Sequence, residues 1–255
     1  MIHGTKVWLA LISLGLSFAT GAGAQTAISD PKPATTTKAT TPAAKNGTKP
    51  AAQLGAPVMS YGSSTAPITM EVFTDYECPS CRALFEQTLR PMIADYVANG
   101  KVRLVHHDFP LPPPGHHYSG QAARWANAAA RVGEFAAVEA ALYDNQPALE
   151  ANGSLEKFVA AAMSAEDFKR VEKEMQGCVA PGPTSNPSGG VNFAPSRGAC
   201  SLDTHIEQDI MLGEKVPVAA TPTYVISYKG TRLPAGSGIV SWPILKQFFD
   251  SLLSQ

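Results

Sequence analysis

The chain has 255 residues, 44% of them hydrophobic and 16% charged, enough to build the core of one domain, or of one domain plus an insertion. Its 21 Gly and 21 Pro gather in tails and loops and follow no repeat, which excludes collagen, coiled coil and solenoid. Residues 1–55 carry five Lys and one Asp (net +4), and residues 56–255 carry 15 Lys plus Arg against 20 Asp plus Glu (net −5), so the folded part is mildly acidic and no nucleic acid is expected as a partner.

Met1–Lys6 is a short, weakly basic start, Val7–Phe18 an apolar run of twelve, and Ala22-Gly23-Ala24 a set of small residues. Together they predict a cleavable export signal over residues 1–24. Twelve residues fall short of the ~20 that cross a hydrocarbon core, and an uncleaved N-terminal anchor is the alternative. Residues 25–55 are Thr, Ala, Pro, Lys and Gly, with Ile28 and Leu54 as the large aliphatics. They bury too little to offset the entropy of ordering, which predicts a disordered linker spanning on the order of 30 Å ahead of a domain over 56–255.

Pro67–Thr74 alternates apolar and polar side chains and predicts a strand running into Cys78. From Pro79 to about Ala98, Leu84, Phe85, Leu89, Met92, Ile93, Tyr96 and Val97 recur at helical spacing. Pro91 is expected to kink that helix, because it offers no N–H to the Gln87 carbonyl. Lys101–Phe109 predicts a second strand, and Pro110–Gly115 a stiff turn. A helical, Ala-rich insertion is predicted over about 115–176, with breaks near Pro147 and Gly153; its Trp125, Phe135, Leu142 and Tyr143 are expected in the core or along a substrate groove. After a Gly/Pro/Ser-rich loop, Ser201 is expected to cap a helix to Glu214, with Asp203 in its first turn. Thr223–Tyr228 and Thr231–Leu233 predict a hairpin around Lys229-Gly230, and Ser241–Leu253 a closing amphipathic helix.

Cys78-Pro79-Ser80-Cys81 falls where the first strand gives way to the first helix. A helix N-terminus presents unpaired N–H groups and about half a positive charge, which favours a thiolate on Cys78. Such a sulfur is both nucleophile and good leaving group near neutral pH. Cys81, one turn in and less exposed, is placed to attack a mixed disulfide formed by Cys78. A zinc site would need two more ligands, and the remaining cysteines, Cys178 and Cys200, are not spaced as a second Cys-x-x-Cys. The pattern therefore points to thiol redox chemistry, with zinc or an inert bridge as alternatives.

These residues, together with Asp108-Phe109-Pro110-Leu111, the helical insertion and Ala220-Thr221-Pro222-Thr223-Tyr224-Val225, resemble the DsbA-like thiol:disulfide oxidoreductases of the thioredoxin superfamily over about 58–253. The resemblance implies an α/β thioredoxin fold, with a central mixed sheet and the helical insertion. It also implies a cis Pro222 against Cys78, and a Thr221 whose backbone receives a substrate peptide as an added strand. By residue, Cys78 and Cys81 would be catalytic, Pro79 and Ser80 part of the motif, and Thr221 and Pro222 substrate-binding. The implied activity is the introduction of disulfides into exported proteins with free thiols, in the periplasm or another extracytoplasmic space. The implied protein is a monomer reoxidised by a quinone-linked, DsbB-like membrane partner, with no cofactor and no metal. An isomerase or reductase of the same fold is the first alternative, and a non-catalytic metal or peptide carrier the second. Residues 25–55 are too poor in apolar side chains to form the dimerisation domain of such isomerases. Two departures stand out. Val72 occupies the position, six before Cys78, where these folds often bury an acid, and Glu71 is expected on the other sheet face. The Pro-Ser dipeptide lacks a thiolate-stabilising His, which implies a less extreme oxidant.

Cys178 and Cys200 flank the loop outside the resemblance, and in an exported chain they suggest a structural disulfide, with a second redox relay as the rival. His106, His107, His116 and His117 lie within twelve residues. His106 and His107 are strand neighbours and should face opposite ways, so a metal site is not expected of them.

Overall fold

The computed structural model describes residues 59–178 and 200–255; the export signal and linker expected over 1–55, and the loop 179–199, lie outside them. Two seven-residue strands form the centre, β2 (Ile68–Thr74) and β3 (Val102–Asp108), paired in parallel from Ile68↔Val102 to Thr74↔Asp108. On the other side of β2 runs β4 (Thr223–Tyr228), antiparallel from Ile68↔Tyr228 to Phe73↔Thr223. The short strands β1 (Ser60–Tyr61), β5 (Thr231–Arg232) and β6 (Gly236–Ser237) extend the sheet, in the order β1-β3-β2-β4-β5 with β6 on β4. This is the mixed sheet of a thioredoxin fold. β1 and β6, two residues each, are too short to leave a periodic signature in the sequence. The β4–β5 turn holds Lys229 and Gly230 at φ 46° and 81°, the double positive-φ geometry of a two-residue hairpin.

Alternation along β2 sends Ile68, Met70 and Val72 into the larger core and Phe73 into a smaller one shared with Phe109 and Val225. The helix opened by α1 (Pro79–Leu84) and the closing α9 (Trp242–Leu253) cover the larger core, with Tyr96 meeting Trp242 and Phe249 at 5.2 and 6.0 Å between ring centroids. α8 (Asp203–Lys215) covers the smaller one and lies close to the sheet. A Cβ on its Gly213 would come within 2.5 Å of the Phe109 ring, so only glycine fits there.

Pro91 does not break the first helix. The backbone stays helical from Pro79 to Val97 as α1, a π turn (Phe85–Leu89), α2 (Arg90–Met92) and a second π turn (Ile93–Val97). The Arg90 N–H bonds to the Phe85 carbonyl, one residue further back than in an α-helix. The widened register absorbs the missing proline donor without a chain reversal.

Between β3 and α8 stand α3 (Ser119–Val132), α4 (Phe135–Asp144), α5 (Gln146–Asn152), α6 (Glu156–Ala161) and α7 (Ala165–Glu174). Trp125, Phe135, Leu142 and Tyr143 are all buried, as core packing requires. Ser201 is not the cap of α8. Leu202 holds that position and no side chain caps the helix, because the Ser201 hydroxyl and carbonyl both accept hydrogen bonds from the Arg131 guanidinium. Asp203 does occupy the first turn, where the buried guanidinium of Arg124 donates to it at 2.7 Å. Among the described residues no helix is long and apolar enough to cross a membrane.

Cys178 and Cys200 are joined by a disulfide, their Cα atoms 4.6 Å apart and 22 residues apart in sequence. Loop-closure entropy for a loop of that length gives about 3 kcal/mol. The double variant Cys178→Ser, Cys200→Ser is expected to have an unfolding free energy lower by about that amount, read as a lower denaturant midpoint and melting temperature, with disulfide exchange largely retained. Loss of turnover at unchanged stability would instead assign the pair to a redox relay.

Candidate active site

The sheet aims the end of β2 at the start of α1, and Cys78 sits at that junction as the N-cap residue, with extended backbone angles of −76° and 117°. Pro79 occupies the first helical position, where an N–H would have no intrahelical partner. The amides of Cys81 and Arg82 close the first turn on the Cys78 carbonyl at 3.0 and 3.1 Å. The sulfur of Cys78 lies against the backbone N–H groups of Cys81 and Ser80. Both cysteines are free thiols, Cys78 7% exposed and Cys81 1%.

The two sulfurs ionise very differently. A hydrogen bond from the Cys81 thiol, against the opposing cost of burial and with help from the Thr221 hydroxyl and the Cys81 and Ser80 amides, lowers Cys78 to about 6. Burial pushes the Cys81 thiol well up, and the negative Cys78 sulfur adds to that.

Thr221 comes from the loop before β4, and the Thr221–Pro222 peptide bond is cis. The Cys78 thiol donates to the Thr221 carbonyl at 3.3 Å. The Thr221 hydroxyl is buried with no hydrogen-bond partner among the described residues, so it can turn to the sulfur once that sulfur is negative. The Pro222 carbonyl accepts from Gly238 N–H at 2.8 Å, which ties this loop to the end of β6. Site residues 143 positions apart in sequence thus meet through the β2–β4 pairing.

Two carboxylates and an amide, none of them singled out by the sequence, hold the turn. Asp75 accepts from the Glu77 and Leu111 amides, both at 2.6 Å, and from the Ser119 hydroxyl at 2.7 Å. Glu77, its carboxyl raised by burial, accepts from the Tyr118 amide at 2.6 Å and from Ser119 at 2.8 Å. Gln146, at the start of α5, donates to the Tyr76 and Cys78 carbonyls at 2.7 and 3.1 Å. The insertion is therefore stitched to the cysteine turn at both its first helix and its third. His116 lies with Nδ1 3.2 Å from Asp75, and that contact, ahead of the opposing effect of burial, raises its imidazole. The Asp75-x-Glu77 pair beside Cys78 was visible in the sequence, but its partners in Leu111, Tyr118 and Ser119 lie 36 or more residues away.

The histidine cluster divides as the strand alternation requires. His106 is buried against Glu139 (2.9 Å), the Thr74 hydroxyl (3.1 Å), Tyr76 (3.2 Å) and Asp108 (3.3 Å). Burial opposes its charge, but the Asp108 and Glu139 carboxylates outweigh it and take the imidazole to about 10. His107, on the other face, meets Asp209 at 2.7 Å and Glu71 at 3.3 Å and is raised to about 9. Glu71 thus lies away from the cysteine side. Asp108, His205 and Asp209 bring ligand-type atoms within 4.8 Å of one another. Their oxygens are already engaged, Asp108 by His106 and Asn127 and Asp209 by His107 and the Asp108 amide. The two carboxylates of that set therefore belong to a hydrogen-bonded network with both strand histidines, and His205 Nδ1 stands 3.6 Å from Asp209.

A protein-family profile described as thioredoxin matches residues 56–186, just over half of the chain. No curated protein matches significantly by sequence. Among solved structures, the chain is similar to α-DsbA1 of Wolbachia pipientis, with a TM-score of 0.57, 15% identity, and 77% of this chain and 91% of that one covered. It is also similar to BdbD of Bacillus subtilis, with a TM-score of 0.55, 18% identity, and 78% and 94% covered. A thioredoxin-like oxidoreductase of Silicibacter pomeroyi gives a TM-score of 0.50 at 22% identity, with 78% and 94% covered. At these identities the likeness is one of fold.

Proposed function

The chain belongs to the thioredoxin family, and from that premise we propose that it is an extracytoplasmic thiol:disulfide oxidoreductase that introduces disulfides into exported proteins through Cys78 and Cys81. The observation that carries this reading is the opposed ionisation of the two sulfurs, Cys78 lowered at a helix N-terminus and Cys81 raised by burial.

In the oxidising direction a substrate thiolate attacks the Cys78 sulfur of the Cys78–Cys81 disulfide, and the electron pair leaves on Cys81. A second substrate thiolate then attacks the substrate sulfur of the mixed disulfide and expels Cys78 as a thiolate. Two substrate thiols are oxidised and one enzyme disulfide is reduced. A sulfur ionised near pH 6 is a good leaving group in that second step, and its stabilisation in the reduced protein drives electrons from substrate to enzyme. Thr221 and Pro222 line the approach to Cys78, where an extended peptide would add to the backbone of Thr221.

The export signal expected over residues 1–24 supports an oxidising compartment, in which exported proteins with free thiols are the substrates and a quinone-linked membrane protein restores the disulfide. The test is the Cys78–Cys81 reduction potential together with oxidation of a reduced, unfolded model protein. The expected potential lies between about −120 mV, typical of a strong oxidant, and about −200 mV, because Ser80 supplies no positive charge beside Cys78. A potential near about −270 mV, without oxidation of the model protein, would make the protein a reductase.

A further inference from the structure

Ser119, the first residue of α3, puts its Oγ 2.7 Å from Asp75 Oδ1 and 2.8 Å from Glu77 Oε2, and all three residues are buried. A hydroxyl carries one hydrogen, and an ionised carboxylate has none to give. Ser119 can therefore donate across only one of these two contacts at a time. With both acids ionised, the other contact would set oxygen lone pairs against each other away from water, which costs free energy. A hydrogen in each contact requires one acid to keep its proton. Both Asp75 oxygens already take amide hydrogens, Oδ1 from Glu77 and Oδ2 from Leu111 at 2.6 Å, with His116 Nδ1 3.2 Å from Oδ2. The proton therefore falls to Glu77, which takes a single amide hydrogen, from Tyr118, and whose neutral form burial favours. Glu77 runs directly into Cys78, whose N–H closes the turn on the Asp75 carbonyl at 3.2 Å. The charged neighbours of Glu77 are Asp75 on its own turn, His116 on the loop before α3 and Cys78 next in the chain; its α3 contacts, Ser119 and the Tyr118 amide, are neutral.

We propose that Glu77 is a neutral carboxylic acid in the working protein, donating its proton to Ser119 Oγ while Ser119 donates to Asp75, and that this proton makes Glu77 the positioning residue that locks the Cys78 turn to α3. The positioning role rests on the exchange function above; the place of the proton does not. When Glu77 gives its proton to water at alkaline pH, one hydroxyl hydrogen is left between two carboxylates. The bridge opens on one side, and the turn that aims Cys78 loosens.

Infrared spectroscopy of the reduced protein reads the proton directly, since a protonated carboxyl absorbs apart from a carboxylate. Subtracting the spectrum of Glu77→Gln from that of the wild type cancels Asp108, another acid raised by burial. At about pH 6, where an ordinary glutamate is ionised, the difference is expected to show a protonated-carboxyl band. In Ser119→Ala that band is expected at higher frequency, because the acid has lost its acceptor. Gln keeps the shape of the acid, and its amide N–H can donate to Ser119. The melting temperature of Glu77→Gln relative to wild type is expected to climb from about pH 4.3 to the pH at which the band vanishes, and to stay level beyond it. Over that range the wild-type fold holds a proton that its unfolded chain has released. Exchange with an aromatic disulfide is expected to slow about tenfold in the wild type as the band vanishes, and not to follow it in Glu77→Gln. No band in the difference spectrum, or a melting-temperature difference independent of pH, would overturn the proposal. A band that vanishes with the exchange rate unchanged would overturn the positioning role. A protein that shows the band and exchanges no disulfide at any pH would overturn the exchange function and leave the neutral Glu77 standing.

Discussion

Replacing Cys81 by Ala will convert the protein into a trap that accumulates disulfide-linked adducts through Cys78. Cys81 is nearly inaccessible, and its attack on a mixed disulfide is intramolecular, at an effective concentration far above that of millimolar free thiols. Losing it should slow resolution at least ~10³-fold. Cys78 keeps its place at the helix N-terminus in this variant, with the Ser80 and Cys81-position amides and Thr221 still facing the sulfur. It therefore remains reactive, although its pKa rises because the Cys81 thiol, the largest stabilising contact, is gone. Adducts collected from an export-competent host and released by reductant, absent when Cys78→Ser is combined with the first substitution, are the measurement. A Cys81→Ala protein with no adducts would fit a carrier that uses the fold only for binding.

The second large effect is on pH. Alkylation of the reduced protein should follow one inflection near pH 6, from Cys78 alone, with Cys81 unreactive until strongly alkaline conditions. Linkage then fixes how stability changes. The folded Cys78 pKa lies below that of an unfolded thiol, ~8.5, so its contribution is fully present above about pH 8.5. It fades as pH falls through 6. Cys81, raised in the fold, adds an opposite effect only above about pH 8.5. After allowance for solvent screening beside the site opening, the Cys78 contribution is roughly 1–2 kcal/mol. The melting temperature of the reduced form, taken relative to the oxidised form so that shared groups cancel, should rise by roughly 3–6 °C between pH 5.5 and 8.5. A flat difference across that range would mean that Cys78 stays protonated.

The chemistry of this chain lies largely in contiguous residues. Two thiols one helical turn apart, a strand before them and a proline at the first helical position are local features, governed by backbone angles and the N–H groups of a single turn. The hairpin at Lys229-Gly230 and the helical insertion were legible for the same reason. Pro91 marks the edge of that reach. The sequence correctly placed a proline inside a helix, but the two π turns on either side of it leave no mark in the spacing of the apolar residues. Ser201 is similar, since a cap residue surrendered its role to Arg131 from another helix. The support of the site was beyond local reading altogether. Asp75, Glu77 and Gln146 find partners 36 to 70 residues away, and His106 finds Glu139 across the insertion. A buried polar group must be satisfied by whatever the fold brings next to it, and that pairing follows from three-dimensional packing, which no spacing along the chain encodes.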